Sequence, residues 1–112
     1  IASILAERVG LNLSSYASAK AALVQLTKSM ALELARSNIR VNALAPGYIL
    51  TEINQDFFNT DEGKSYIGKI PMKRLGLESE LDGALLLLAS NASSFMTGSV
   101  ITVDGGHVVN PL

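Results

Sequence analysis

Cysteine is absent from the 112 residues of this chain. A disulfide framework, a thiol nucleophile and a thiolate zinc site are therefore all excluded. An excess of one charge is missing as well: nine Lys and Arg face ten Asp and Glu, for a net charge of −1, and no basic cluster interrupts the chain. That argues against nucleic acid or an anionic membrane as a partner. Long apolar runs are lacking too. The longest, Ala84 to Ala89, falls far short of a membrane span, and no charged-then-apolar signal segment opens the chain. The single histidine, His107, has no acid, cysteine or second histidine spaced with it for a metal. It is read as structural, and no metal site is expected.

What is present is globular. An apolar fraction of 48% against 17% charged residues suits one small domain with a modest core, and rules out a disordered chain. The expectation is a single domain over residues 1–112, in a soluble protein of the cytoplasm. The first residue, Ile1, reads as the end of a strand rather than the start of a fold, so the chain is expected to be the C-terminal part of a longer protein.

The chemistry centres on Tyr16-Ala17-Ser18-Ala19-Lys20, with Ser3 upstream. Residues four apart on an α-helix stack on one face, one turn apart. A phenol with an ordinary pKa of ~10 is a poor proton shuttle at neutral pH. An ammonium held within a few ångströms favours the phenolate. Bringing the pKa to ~7–8 requires roughly 3–4 kcal/mol, at ~1.36 kcal/mol per unit. One desolvated cation near a helix N-terminus can supply that. The pair reads as a tuned acid/base. Its plain alternative is a surface helix carrying an aromatic and a solvated cation, and only convergence with other segments decides between them.

Ile1-Ala2-Ser3 reads as the carboxyl end of a buried strand. Residues 4–13 follow as a greasy loop, either a substrate wall or simple packing. Ser14 or Ser15 is expected to cap a helix from Tyr16 to about Arg36. Leu23, Leu26, Met30 and Leu34 keep helical spacing, and alanines make this helix apolar nearly all round, which predicts burial on more than one side. Asn38 stops it. Residues 39–45 form a second strand, ended by Pro46-Gly47. Strand, helix, strand is a βαβ unit with a parallel sheet. Ser3, the start of the helix and the end of the second strand must then share one sheet edge, where ligands of open α/β sheets bind.

Residues 51–70 are an excursion with Phe57, Phe58 and Tyr66 among polar residues, read as a lid or as a pair of short helices packing their aromatics. Residues 70–76 form a rigid connector. Residues 78–90 form a helix with a Leu85–Leu88 stripe, and residues 99–103 a final strand closed by Asp104-Gly105-Gly106. The fold class is α/β: the C-terminal portion of a doubly wound, Rossmann-like parallel sheet, in the order strand–helix–strand–helices–strand.

Taken together, Ser3, Tyr16-x-x-x-Lys20, Arg40-Val41-Asn42, Pro46-Gly47-x-x-x-Thr51 and Val103-Asp104-Gly105-Gly106 resemble the short-chain dehydrogenase/reductase family in its compact form. The 3-oxoacyl-carrier-protein reductase-like and gluconate dehydrogenase-like members are those it is similar to. The resemblance implies an NAD- or NADP-dependent oxidoreductase interconverting a secondary alcohol and a ketone. Tyr16 would be the general acid/base and Lys20 would lower its pKa and hold the nicotinamide ribose. Ser3 would polarise the substrate oxygen. Pro46, Gly47, Ile49 and Thr51 would hold the carboxamide. It also implies a homo-oligomer, a tetramer or dimer, built through the Tyr16 helix and the Glu78 helix with the last strand. A non-catalytic relative that senses dinucleotides or scaffolds is the alternative, normally marked by loss of the Ser, Tyr or Lys, and all three are present here.

No Gly-x-x-x-Gly-x-Gly or Gly-x-Gly-x-x-Gly occurs among the nine glycines, so the pyrophosphate turn is missing. The 112 residues alone are expected neither to bind the cofactor with useful affinity nor to turn over. Among small carbonyl substrates, the apolar loop with Phe57, Phe58 and Met72 leans toward a greasy or acyl one.

Overall fold

The helix that carries Tyr16 and Lys20, α1 (Ser14–Leu34), is the longest element. The computed structural model describes residues 1–110, so Pro111 and Leu112, the end of the expected domain range, lie outside the described residues. A 3-10 turn, Ile4–Ala6, precedes α1, and another, Ala35–Ser37, ends it. After β1 (Ala43–Pro46) come two short helices, α2 (Gln55–Asn59) and α3 (Asp61–Gly68). The 3-10 turn Glu78–Leu81 leads into α4 (Asp82–Ala89), and a last 3-10 turn, Asn91–Ser93, precedes β2 (Val100–Val103).

The strands are parallel, with Ala43 opposite Val100 and Pro46 opposite Val103. Ala43 N–H donates to Ser99 and Gly47 N–H to Val103, so these groups face β2. Backbone groups alternate sides along a strand, which turns the Leu44 carbonyl the other way. It accepts from Ala2 N–H at 2.7 Å. Residues 1–3 thus lie along the free edge of β1, as a βαβ unit requires, although one hydrogen bond does not make a full strand of them. The core under α1 is built of small residues: Ala2, Ala43 and Ala45 are buried, with Val24 and Val100 packed against them. Leu44 is buried on the opposite face of β1.

Three expectations need correction. Neither Ser14 nor Ser15 caps α1: both already lie within its first turn, and the cap position falls to Leu13, which makes no side-chain capping bond. The second strand begins at Ala43 rather than Ile39, because the backbone groups before it bond to the Thr97–Gly98 turn instead of a strand. Val41 N–H donates to the Thr97 hydroxyl and its carbonyl accepts from Gly98, while Asn42 binds Met96 O and Ser99 N. Arg40 meanwhile reaches the carbonyls of Leu88 and Ser90 and the Ser93 hydroxyl, tying the approach to β1 to the end of α4 and the 3-10 turn after it. Finally, α1 is not buried on several sides. Only Thr27 and Ala31 are buried, and Leu26 and Leu32 stand in the open. Helix composition expresses which faces tolerate burial; among the described residues only one face meets the strands.

Asn38 does take the left-handed conformation expected of the stop, with φ 56°. The excursion is the helix pair: Thr60 caps α3 through Gly63 N–H, and Phe58 packs on Tyr48 with ring centroids 5.7 Å apart.

Candidate active site

Three segments deliver their polar residues to one end of the parallel strands. Ser3, Tyr16, Lys20, Pro46, Gly47, Ile49 and Thr51, all seven residues singled out in the sequence, line one open cleft of about 350 Å³. The cleft is also bounded by Asn54, Glu78 and Leu81.

Ser3 ends the first segment in extended backbone and caps the following 3-10 turn, its hydroxyl oxygen accepting from Leu5 N–H at 3.2 Å. That bond uses a lone pair and leaves the hydroxyl hydrogen to donate elsewhere. Ser3 is buried, whereas the Tyr16 side chain is half exposed. Lys20 lies one helical turn beyond Tyr16, with its ammonium 5.5 Å from the centre of the phenol ring. The same ammonium donates to the Ile1 carbonyl at 3.0 Å. This bond turns the lysine toward the strand end rather than into bulk water. A helix-spaced pair is thereby anchored to the segment that carries the serine.

The turn after β1 is held on both sides. Gly47 comes so close to the other strand's end that a Cβ there would sit 2.7 Å from Asp104 Cβ and 2.8 Å from its Cα. Only glycine fits that approach. Asp104 in turn accepts from Gly106 and Val108 N–H at 2.8 and 2.6 Å. Further along, Gly76 pairs with the turn: Leu50 N–H donates to the Gly76 carbonyl, and Gly76 N–H to Tyr48. The bridge uses groups of Tyr48 and Leu50, so those of Ile49 face the cleft side. Its N–H has no partner among the described residues.

Asn54 completes this turn, and the sequence reading missed it. Its amide nitrogen donates to the Ile49 carbonyl at 2.8 Å, and its amide oxygen accepts from Thr51 N–H at 2.9 Å. An asparagine just before a helix reads as a cap, yet it makes no capping bond to α2 and reaches back instead. Phe57, Phe58 and Met72, expected to make the substrate pocket greasy, do not line the cleft: Phe58 is core, and Met72 faces a separate pocket beside Arg74 and Glu80.

A family model described as Enoyl-(Acyl carrier protein) reductase matches residues 1–108. With the 7alpha-hydroxysteroid dehydrogenase of Escherichia coli (strain K12) the chain is 40% identical over 108 residues, 96% of this chain and 42% of that protein. The chain belongs to the short-chain dehydrogenase/reductase family. As a short-chain dehydrogenase/reductase chain it also superposes on solved structures. A gluconate 5-dehydrogenase from Burkholderia cenocepacia, in complex with NADP and tartrate, gives a TM-score of 0.90 at 37% identity, covering 96% of this chain and 43% of that one. A 4-hydroxyisoleucine dehydrogenase complexed with NADH gives 0.92 at 32% identity, covering 98% and 46%. The Rossmann-type α/β class is therefore that of its relatives, and the chain spans about two fifths of the length of the curated relative it matches.

Proposed function

We propose that the gene product carrying this chain is an NAD- or NADP-dependent oxidoreductase interconverting a secondary alcohol and a ketone. The observation that carries this reading is the meeting of Ser3, Tyr16, Lys20 and the Ile49–Thr51 turn in one cleft at the carboxyl ends of parallel strands. Relatives solved with NADP or NADH support the choice of cofactor.

The nicotinamide end of such a cofactor suits the residues present. Ile49 N–H is a donor beside Thr51 with no partner among the described residues. Lys20 would hold the cofactor's ribose through a hydrogen bond from its ammonium. When bound, the nicotinamide supplies or accepts the hydride. The chain's own residues do the rest. Ser3 donates its hydroxyl hydrogen to the substrate oxygen and polarises the carbonyl. Tyr16 gives its phenolic proton to that oxygen during reduction and takes it back during oxidation. Lys20 stabilises the phenolate left behind, and its bond to Ile1 keeps it in place. The phosphate cradle of a dinucleotide has no counterpart in these residues, so the 112-residue chain by itself is proposed to be inactive.

A homo-oligomer, tetramer or dimer, belongs to the same proposal. It is supported by the exposed apolar residues of α1 and α4, Leu26, Leu85 and Leu86 among them. The cytoplasmic setting expected from composition is also part of it. Tyr16→Phe tests the core of the reading: turnover, followed at the absorbance of the reduced nicotinamide, should fall ~10²–10⁴-fold, with cofactor affinity retained. An unchanged rate removes Tyr16 from the chemistry.

A further inference from the structure

Beside the cleft lies a second cavity of about 260 Å³, and Tyr48 is common to the walls of both. The chain runs directly from Ser3 in the cleft into Ile4 and Leu5 on the cavity wall. One side is apolar, formed by Leu5, Val9, Leu11 and Leu13 of the greasy loop, with Val9 and Leu11 open to solvent. The other carries Arg8, Lys69, Tyr66 and His107, and no aspartate or glutamate lines the cavity.

The polar groups on this wall are unevenly satisfied. Among the described residues Arg8 is anchored through one nitrogen, Nη1, which donates to the carbonyls of His107, Val108 and Asn110 at 2.6, 3.3 and 3.4 Å. Its remaining guanidinium N–H groups have no partner among the described residues. Lys69 makes no ion pair among the described residues, and its ammonium stands 5.0 Å from the Tyr66 ring centre. His107 is 9% exposed, and its Nδ1 is buried without a hydrogen-bond partner among the described residues. Burial, then the nearby Arg8 and Lys69 against an opposing pull from Asp104, hold this imidazole below its ordinary pKa. Two cations thus crowd one uncharged imidazole around an empty space, with no anion among the lining side chains.

Such an arrangement is electrostatically incomplete. Like charges gathered in a partly enclosed pocket repel, and an anion placed among them gains more there than in open water. Guanidinium and ammonium donors make their strongest hydrogen bonds to carboxylate or phosphate oxygens. The half-apolar wall suits a short hydrocarbon stem and a single charge better than a dianion.

We propose that this cavity takes the carboxylate end of the substrate, so that the carbonyl compound turned over next to Ser3 and Tyr16 is an oxo acid rather than a neutral ketone. The inference rests on the oxidoreductase reading of the cleft for the word substrate, and on the cavity alone for the carboxylate. It also revises the apolar lean: the greasy loop holds the stem, and Arg8 and Lys69 select the charged end.

The test is calorimetric binding to the gene product carrying this chain, using a homologous series of oxo acids, their neutral amides and a phosphorylated ketone. Lys69→Gln and Lys69→Arg are compared with the parent. Lys69 is exposed and makes no bond the fold depends on, so both variants should fold. At least one oxo acid should bind about ten-fold or more tightly than its amide. That preference should vanish in Lys69→Gln and survive in Lys69→Arg. Equal affinity for acid and amide, or a preference that persists in Lys69→Gln, overturns the proposal. Tighter binding of the phosphorylated ketone than of every oxo acid overturns the choice of carboxylate. Turnover by Tyr16→Phe is measured separately, so failure of the acid/base assignment is distinguishable from failure of the carboxylate site.

Discussion

Asn54 offers the sharpest test of how this site is held together. Replacing it by alanine removes two hydrogen bonds at once, to the Ile49 carbonyl at 2.8 Å and from Thr51 N–H at 2.9 Å. A typical intramolecular hydrogen bond contributes about 0.5–1.5 kcal/mol net, and more when the abandoned partner stays dry. Asn54 is half-buried, so water reaches part of what it leaves. The expected loss of stability is about 1–2 kcal/mol, read from chemical denaturation. The larger consequence is local. The Ile49–Thr51 turn is fixed on one side by the Gly76 bridge and on the other by this amide together with the backbone bonds from Asn54 and Gln55 N–H to the Thr51 carbonyl. If the turn holds the carboxamide, its loosening should raise the cofactor KM about ten-fold, since each 1.4 kcal/mol is a factor of ten. Asn54→Asp separates the two bonds: the acceptor for Thr51 N–H remains, but a carboxylate oxygen then faces the Ile49 carbonyl. It should therefore fare no better than alanine. A stability change within about 0.5 kcal/mol, the ordinary range for surface substitutions, together with an unaltered KM would refute the argument.

Two further outcomes follow from the packing. Gly47→Ala places a methyl group 2.7 Å from Asp104 Cβ and 2.8 Å from its Cα; backbone cannot yield as a flexible side chain does, so the variant should lose about 1–3 kcal/mol by denaturation. Stability at the Gly47 wild-type level would show that the two strand ends separate freely. His107 has a pKa lowered from its ordinary 6.5, first by burial. The unfolded chain therefore binds the proton more readily, and stability due to this group is present above about pH 6.5 and is lost as pH falls below it. His107→Gln should flatten the acid limb of a stability-versus-pH curve, and an unchanged slope would remove His107 as its source.

The features legible in the sequence were those set by local geometry. Tyr16 and Lys20 share a face because the helical repeat puts residues four apart one turn apart, and that holds wherever the helix lies. The left-handed stop at Asn38 and the turns at Pro46-Gly47 and Asp104-Gly105-Gly106 are equally local. Ser3 and Thr51 were reachable one step further, because a parallel βαβ unit allows its strand ends and helix start only one shared edge; Ile49 came only from the family resemblance.

What the tertiary structure alone decided depends on contacts between residues far apart in the chain. Arg8 meets the carbonyl of His107 across nearly the whole chain length, and no periodicity signals such a meeting. Asn54 has the composition of a helix cap, and only the position of the returning turn sends its amide backward. The start of β1 was misplaced because Thr97 and Gly98 occupy Val41's backbone groups. The exposure of α1 escaped the pattern for the same cause: a sequence records which side chains prefer burial, whereas the fold determines how much surface arrives to bury them.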